Sequence, residues 1–336
     1  MSATVLPAAE VTRLARAAGF DLVGLARAEP LPRAFLCEWL EAGHHADLDW
    51  MAERLEERLD VSRLLPGART VVALACNYFF PGDSPLARYA RGRDYHATLR
   101  DRVRALRRTL RAAFPGVRDF ASVDVGPVLE KVWAVKAGLG ALGKNACLLT
   151  PAYGSWVVLA VMVLDREVDQ VFEAEPAQPC GRCRLCLDAC PTGAIVAEGV
   201  VDAGRCLSYQ TIENEGPVLP ALRAALADTV FGCDVCQDVC PHNRREVRAG
   251  QRFAPRPVAS LPARALAGLS RSEWEALAPG TALVRAGYDG LRRNACYALG
   301  AAGDSGARVL LEGLAGDAAA GVREAAAWAL EQLGKP

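Results

Sequence analysis

The stretch CGRCRLCLDACPTGAI, residues 180–195, places four cysteines within eleven residues and follows the last with proline. A shorter echo, CDVCQDVCP, occupies residues 233–241. The first run reads Cys180-x2-Cys183-x2-Cys186-x3-Cys190-Pro191, the spacing with which bacterial ferredoxins hold 4Fe–4S clusters. In such a run three close thiolates wrap one cubane, and the cysteine before proline turns away to ligate the other. The second run, Cys233-x2-Cys236-x3-Cys240-Pro241, lacks a leading cysteine, and Cys206 can supply it. Two ligand sets follow: Cys180, Cys183, Cys186 and Cys240 for one cluster, and Cys190, Cys206, Cys233 and Cys236 for the other. A pair of zinc sites would more often show two short knuckles across a long loop. Cys37, Cys76, Cys147 and Cys296 stand singly in apolar surroundings and are expected to be small core residues.

The rest of the composition sets limits. The chain has 336 residues, 39 basic against 39 acidic, so no global field draws in a polyanion. Half of it is apolar, enough for two or three packed domains. No long uncharged apolar run predicts a membrane span, and the first twenty residues do not read as a signal peptide. A cytoplasmic protein is expected, where clustered thiols bind metal more often than they pair.

Strand and helix signals alternate through residues 1–172: FDLVGLAR (20–27), TVVALACNYF (70–79) and SWVVLAVMVLD (155–165) read as strands. Residues 35–65 and the arginine-rich 94–114 read as helices, the arginines of 100–111 as a solvated face. This predicts an α/β layered domain, followed by a ferredoxin-like insert over 173–256. A proline-rich linker and a tail with an internal repeat at 257–336 come last. Residues 291–300, LRRNACYALG, align with 322–331, VREAAAWALE, and suggest a pair of HEAT-like helical repeats. GLGALG at 138–143 satisfies a dinucleotide pattern, but a helix precedes it and a strand follows, the reverse of a nucleotide fold. Its glycines are expected instead to permit close approach to a ligand or another backbone.

Two clusters move electrons but do not choose a substrate. From the residues alone, the chain could be a ferredoxin-like electron-transfer subunit with a docking module. It could also be a flavin- or NAD-linked oxidoreductase.

Four stretches in order narrow this: RYARGRDYH (88–96), VDVGPVLEKVWAVKAGLGALGKN (123–145), the first cysteine run, and FGCDVCQDVCPHNR (231–244). With the repeat-bearing tail they resemble the epoxyqueuosine reductases, the last enzymes of queuosine biosynthesis in tRNA. The resemblance implies a cobalamin held over the N-terminal domain, which residue patterns alone do not suggest. It also implies loss of the epoxide oxygen as water to leave an alkene. Asp124 falls on the family's proton donor and beside the corrinoid. Desolvation there is expected to raise its pKa and keep it protonated near neutral pH. Tyr89, Leu148, Leu159, Ser208, Asp234 and Val235 fall on corrinoid contacts. The segment WMAERLEER (50–58) departs from the family's wording and leaves open which of Arg54 and Arg58 touches the cofactor. His96 reads as a structural histidine rather than a cobalt ligand. Arg285, Arg292, Arg293 and Asn294 resemble the tRNA-contacting repeat, and Arg244, Arg245, Arg248, Arg252 and Arg256 add a second basic row. The implied partners are the anticodon stem-loop of a tRNA and an electron donor that the sequence does not name. The chain is expected to act as a monomer.

Overall fold

A computed structural model of the chain describes residues 5–172 and 178–334, so the expected domain junction at 172/173 adjoins residues outside the described ones. Four strands form the central sheet in the order β1-β2-β4-β3: β1 (Leu22–Arg27), β2 (Thr70–Asn77), β3 (Asp119–Ser122) and β4 (Val157–Leu164). Every pairing is antiparallel, with Thr70 opposite Leu164 and Asn77 opposite Val157. The alternation of strand and helix therefore does not produce parallel crossovers, and the domain is α+β rather than doubly wound.

β2 is buried along its whole length because both sheet faces are covered. Val72, Leu74 and Cys76 point into one core with helices α1 (Ala8–Ala17) and α2 (Tyr95–Ala113). Val71, Ala73 and Ala75 point the other way, against Trp133 and Ala134 of α3 (Glu130–Lys136). Period-two alternation thus sorts one apolar strand between two cores. The long helix expected over 35–65 is instead Ala34–Glu41 followed by short turns, because left-handed backbone at Gly43, Ala46 and Arg54 interrupts it.

A third core joins the cysteine-bearing segment to the tail. Leu207 of α4 (Leu207–Ile212), with Leu226 and Phe231, packs against α5 (Gly287–Ala301) and α6 (Ala320–Leu333). A boundary at 257 therefore runs through a shared core. Gly300 lets α5 and α6 touch: a Cβ there would lie 2.5 Å from Ala329 Cα. Among the described residues no helix is long and apolar enough to cross a membrane.

Candidate functional site

Where β2 ends and β4 begins, the sheet opens on a cavity of about 800 Å³. This lies toward the upper end of ordinary small-molecule sites. Its walls are mostly apolar, with Val128, Leu129, Leu148, Val157 and Leu159 from the sheet domain and Leu207 and Val235 from the cysteine-bearing segment. Cys190, Cys206, Cys233 and Cys236 border one side of the same space, and Asp124 another.

The first cysteine set lines a separate void of about 170 Å³, bordered by Cys180, Cys183, Cys186 and Cys240. The two runs thus sort by space as the spacing predicts, with each Cys-Pro cysteine on the far site. Among the described residues no three Cys, His, Asp or Glu side chains converge tightly enough for one ion. Four thiols spread around a void suit a cluster with thiolates at its corners.

Several of the expected corrinoid contacts border the large cavity: Tyr89, Asp124, Leu148, Leu159, Ser208 and Val235. Asp234 does not. Its buried carboxylate turns away to accept the Arg88 backbone N–H at 2.7 Å and the Arg88 guanidinium at 3.4 Å. Of the two arginines left open by sequence, Arg58 lines the cavity, its Nη2 donating to the Trp50 carbonyl at 2.7 Å. Arg54 is turned to solvent and pairs with Glu57.

Asp124 sits in left-handed backbone, φ +61°, in a bend between β3 and α3. Ala146, also on the cavity wall, has φ +59°. Non-glycine residues held in this region mark places where the surrounding fold fixes a side chain against its local preference. Asp124 Oδ2 accepts from Tyr95 Oη at 2.7 Å and meets His96 Nε2 at 2.9 Å. Burial would raise the Asp124 pKa, but these two hydrogen bonds, with the charges of His96 and Arg285, hold it below the ordinary carboxylate value. The raised pKa expected from sequence belongs to a carboxyl covered by a cofactor; the protein's own groups act in the opposite direction. Glu130, on the same cavity wall, is the carboxyl that keeps its proton. Burial, reinforced by the nearby Asp124 charge, raises it to about 8.

The GLGALGKN segment does more than its glycines suggested. Gly140 permits a backbone contact, since a Cβ there would lie 2.1 Å from the Leu149 carbonyl oxygen. The next two residues reach both cysteine sites. Lys144 N approaches Cys180 Sγ at 3.5 Å, and Asn145 Nδ2 donates to the Cys236 carbonyl at 3.2 Å. Sequence reasoning missed this pair because nothing local distinguishes a lysine and an asparagine after a glycine turn. Cys147, expected to be a core residue, instead lines the large cavity as a free thiol, on the same wall as Cys236.

Three expected tRNA contacts lie elsewhere than the surface. Arg292, Arg293 and Asn294 are buried at 7%, 3% and 0% exposure. Arg292 pairs with Asp317 at 2.6 Å. Arg293 donates to the Asn214 carbonyl at 2.9 Å, and Asn294 to the carbonyls of Thr211 and Val230 at 2.7 and 3.0 Å. Arg293 and Asn294 dock α5 onto the cysteine-bearing segment, while Arg292 ties α5 to Ala267 and Asp317 within the tail, and these contacts occupy their donors. Arg285 stays exposed, paired with Glu213, and Arg244, Arg245, Arg248, Arg252 and Arg256 also face solvent.

Known proteins match this arrangement. Residues 58–124 fit the family described as Epoxyqueuosine reductase QueG, DUF1730, and residues 179–243 fit the 4Fe-4S double cluster binding domain. An epoxyqueuosine reductase of Gloeobacter violaceus is 45% identical over 316 residues, covering 89% of this chain and 97% of the relative. A crystal structure of epoxyqueuosine reductase with a tRNA-Tyr epoxyqueuosine-modified stem loop superposes with TM-score 0.89 at 29% identity. That match covers 98% of this chain and 90% of the other. A Bacillus subtilis epoxyqueuosine reductase whose catalytic aspartate loop is swung out of the active site matches over the same shares with TM-score 0.88 at 29% identity. Near-complete coverage at this identity, on a fold that brings an acidic residue and one cysteine set to one cavity and the other set to a second void, makes the chain a member of the epoxyqueuosine reductase family.

Proposed function

We propose that the chain reduces epoxyqueuosine in the anticodon loop of tRNA to queuosine, with a corrinoid in the large cavity and two 4Fe–4S clusters on the eight cysteines. The observation that carries this is one continuous space bordered by four cluster-spaced thiols and by the Asp124 carboxylate. An electron carrier needs no such cavity, and a dinucleotide enzyme would need a phosphate-binding turn between strand and helix. In GLGALG, Gly140 serves a close backbone approach to the Leu149 carbonyl, and Gly138 makes room for the Phe172 ring.

A corrinoid fits the residues present. The cavity is large, mostly apolar and walled by two modules, and Leu148, Leu159, Ser208 and Val235 border it. Tyr89 closes one side, edge-on to Tyr95 at 5.8 Å. When bound, a reduced corrinoid supplies an electron-rich centre fed one electron at a time by the clusters. The chain supplies binding, orientation and protons. Tyr95 and His96 fix the Asp124 carboxylate at the cavity edge, where its Oδ2 can pass a proton to a leaving oxygen. The apolar walls keep water from competing for that proton.

The modified base must leave its stack to enter the cavity, so the loop has to be gripped outside it. Arg285 is the tail residue whose charge reaches Asp124, and it would meet a phosphate near the mouth. The exposed row from Arg244 to Arg256 would track the backbone beyond. The tail helices serve as a HEAT-like platform under this surface, and the protein acts as a monomer.

The test is anaerobic purification with added corrinoid, metal analysis and incubation with epoxyqueuosine-bearing tRNA. Roughly eight irons and one cobalt per chain are expected, together with conversion of epoxide to alkene under reduction. Retention of iron without corrinoid, and no turnover, would favour an electron carrier.

A further inference from the structure

The reaction consumes more protons than Asp124 alone holds. Removing an epoxide oxygen as water while leaving an alkene takes two electrons and two protons: both C–O bonds break and two O–H bonds form. The electrons come from the reduced cofactors. Asp124, whose hydrogen bonds to His96 and Tyr95 hold its pKa below the ordinary carboxylate value, needs a proton source beside it. Something in the site has to charge it.

The geometry around Asp124 answers this. Asp94 caps helix α2, its Oδ1 accepting the His96 backbone N–H at 2.9 Å. The same oxygen meets His96 Nδ1 at 2.7 Å. On its other side the imidazole meets Asp124 Oδ2 at 2.9 Å through Nε2. The ring stacks on Tyr95, centroids 4.0 Å apart, which fixes its plane. A neutral imidazole can donate through one nitrogen only, whereas both of these face a carboxylate. Only the imidazolium satisfies both contacts.

We propose, building on the functional reading above, that Asp94, His96 and Asp124 form a proton relay in which the His96 imidazolium recharges Asp124 as Asp124 protonates the epoxide oxygen. In the step, the Nε2–H bond breaks as an O–H bond forms on Asp124 Oδ2, and that O–H bond then breaks as the proton passes to the substrate oxygen, leaving His96 neutral and Asp124 ionised again. Asp94 keeps the Nδ1 proton in place and holds the ring in register. His96 is thus a positioning and recharging residue, and Asp124 the group that meets substrate.

The surroundings support this assignment. Burial would discharge His96, and the positive end of α2 opposes its charge. The two carboxylates outweigh both and raise its pKa to about 9. The other charged or titratable groups around this unit are few. They are Tyr95 and Arg100 on α2, Tyr89 beside Tyr95, Glu130 of α3, and Arg285 from the tail. Arg285 favours ionised Asp124, which keeps the proton on His96. Glu130 lines the same cavity as Asp124, and burial raises its pKa to about 8, so it can hold the second proton.

The test uses the reconstituted holoenzyme with carbon-13-labelled histidine. The chain has four histidines, so four ring signals are expected, and His96→Gln assigns one by its loss. That signal should titrate near pH 9. His96→Gln should keep iron content, corrinoid and tRNA affinity, and lose turnover on the order of 10²-fold. The alkaline fall expected in the wild-type kcat should lose its step near pH 9 in this variant, leaving the limb set by Glu130 near pH 8. Asp94→Asn keeps the helix cap and should move both the ring titration and the alkaline limb to lower pH. A His96 signal titrating at the ordinary histidine value would overturn the relay. So would an active wild type whose His96→Gln variant has the same kcat and pH profile, with the functional reading left standing. A wild-type holoenzyme inert toward epoxyqueuosine tRNA would overturn that reading and the relay together.

Discussion

Ser155 and Asn243 hold each other by two hydrogen bonds: Ser155 N–H donates to Asn243 Oδ1 at 2.7 Å, and Asn243 Nδ2 donates to Ser155 Oγ at 2.9 Å. One residue precedes β4 and the other follows the last cluster cysteine by three positions, so the pair registers the cysteine sites against the sheet. Asn243 also donates to the Gln237 carbonyl at 2.7 Å, and Gly154 beside it leaves room, since a Cβ would lie 2.0 Å from Asn243 Oδ1. Asn243→Ala leaves the Ser155 N–H buried without a partner and removes one of the two donors to the Gln237 carbonyl, the Cys240 N–H being the other. It should destabilise the fold by about 2–4 kcal/mol, read by denaturant titration at constant iron content. A loss below about 0.5 kcal/mol would mean the modules are registered elsewhere.

Arg293 has an equivalent part at the tail. It is a buried cation that donates to main-chain carbonyls of the 210–216 turn, Asn214 O among them. Arg293→Ala should lower stability by about 3 kcal/mol, with little change in the salt dependence of tRNA binding. The double variant Arg244→Ala, Arg245→Ala should do the opposite. It should leave stability intact and flatten the salt slope by about one unit for each phosphate no longer neutralised. Filter binding across a salt series separates the two, and a flattened slope in Arg293→Ala would return that residue to the RNA interface.

How much of this was open to sequence reading depends on where partners lie along the chain. Cysteine ligation is a matter of spacing within sixty residues, so both sets could be written down from the two runs. Apolar alternation likewise marked β1, β2 and β4. Strand direction was not legible, because the connections carry helices that suit either sense. Nor was the inward turn of Arg292, Arg293 and Asn294. On an alanine-rich helix three polar residues read as a wet face, and the carbonyls that satisfy Arg293 and Asn294 lie some eighty residues earlier. His96 and Asp124 are 28 residues apart, on different elements, and only the crossing of α2 over the bend after β3 joins them.

The pH dependence of stability follows from the same groups. His96 has its folded pKa raised to about 9 against about 6.5 unfolded, so its contribution is complete below 6.5 and lost as pH rises through 9. Glu130 is raised to about 8 against about 4.3 unfolded, so its burial becomes steadily less favourable over that interval. Both terms fall toward alkaline pH. Asp94 and Asp124, held low, lose their ion pairs only as pH drops below the ordinary carboxylate range. Tm should therefore decline between pH 6 and 9.5, and Glu130→Gln, which cannot ionise, should show a shallower decline. A parallel decline in both proteins would mean that Glu130 ionises freely in the fold.

Five thiols, not four, border the large cavity, because Cys147 joins Cys190, Cys206, Cys233 and Cys236. Its free thiol lies on the same wall as those four, so position alone admits it as a ligand. The spacing argument excludes it. A cubane has four iron corners, Cys190 arrives by the Cys-Pro turn of the first run, and Cys233 and Cys236 come from the second. Cys206 then completes the set from the N-terminal end of α4. Cys147→Ser should retain about eight irons and the visible absorption of both clusters. Cys206→Ser should lose about four irons and keep the cluster on Cys180, Cys183, Cys186 and Cys240. Because the affected site is the one that borders the large cavity with Asp124, Cys206→Ser should also stop turnover while leaving tRNA affinity unchanged. Iron analysis and electron paramagnetic resonance of the reduced variants read the outcome. Loss of four irons in Cys147→Ser, with a full count in Cys206→Ser, would exchange the two assignments.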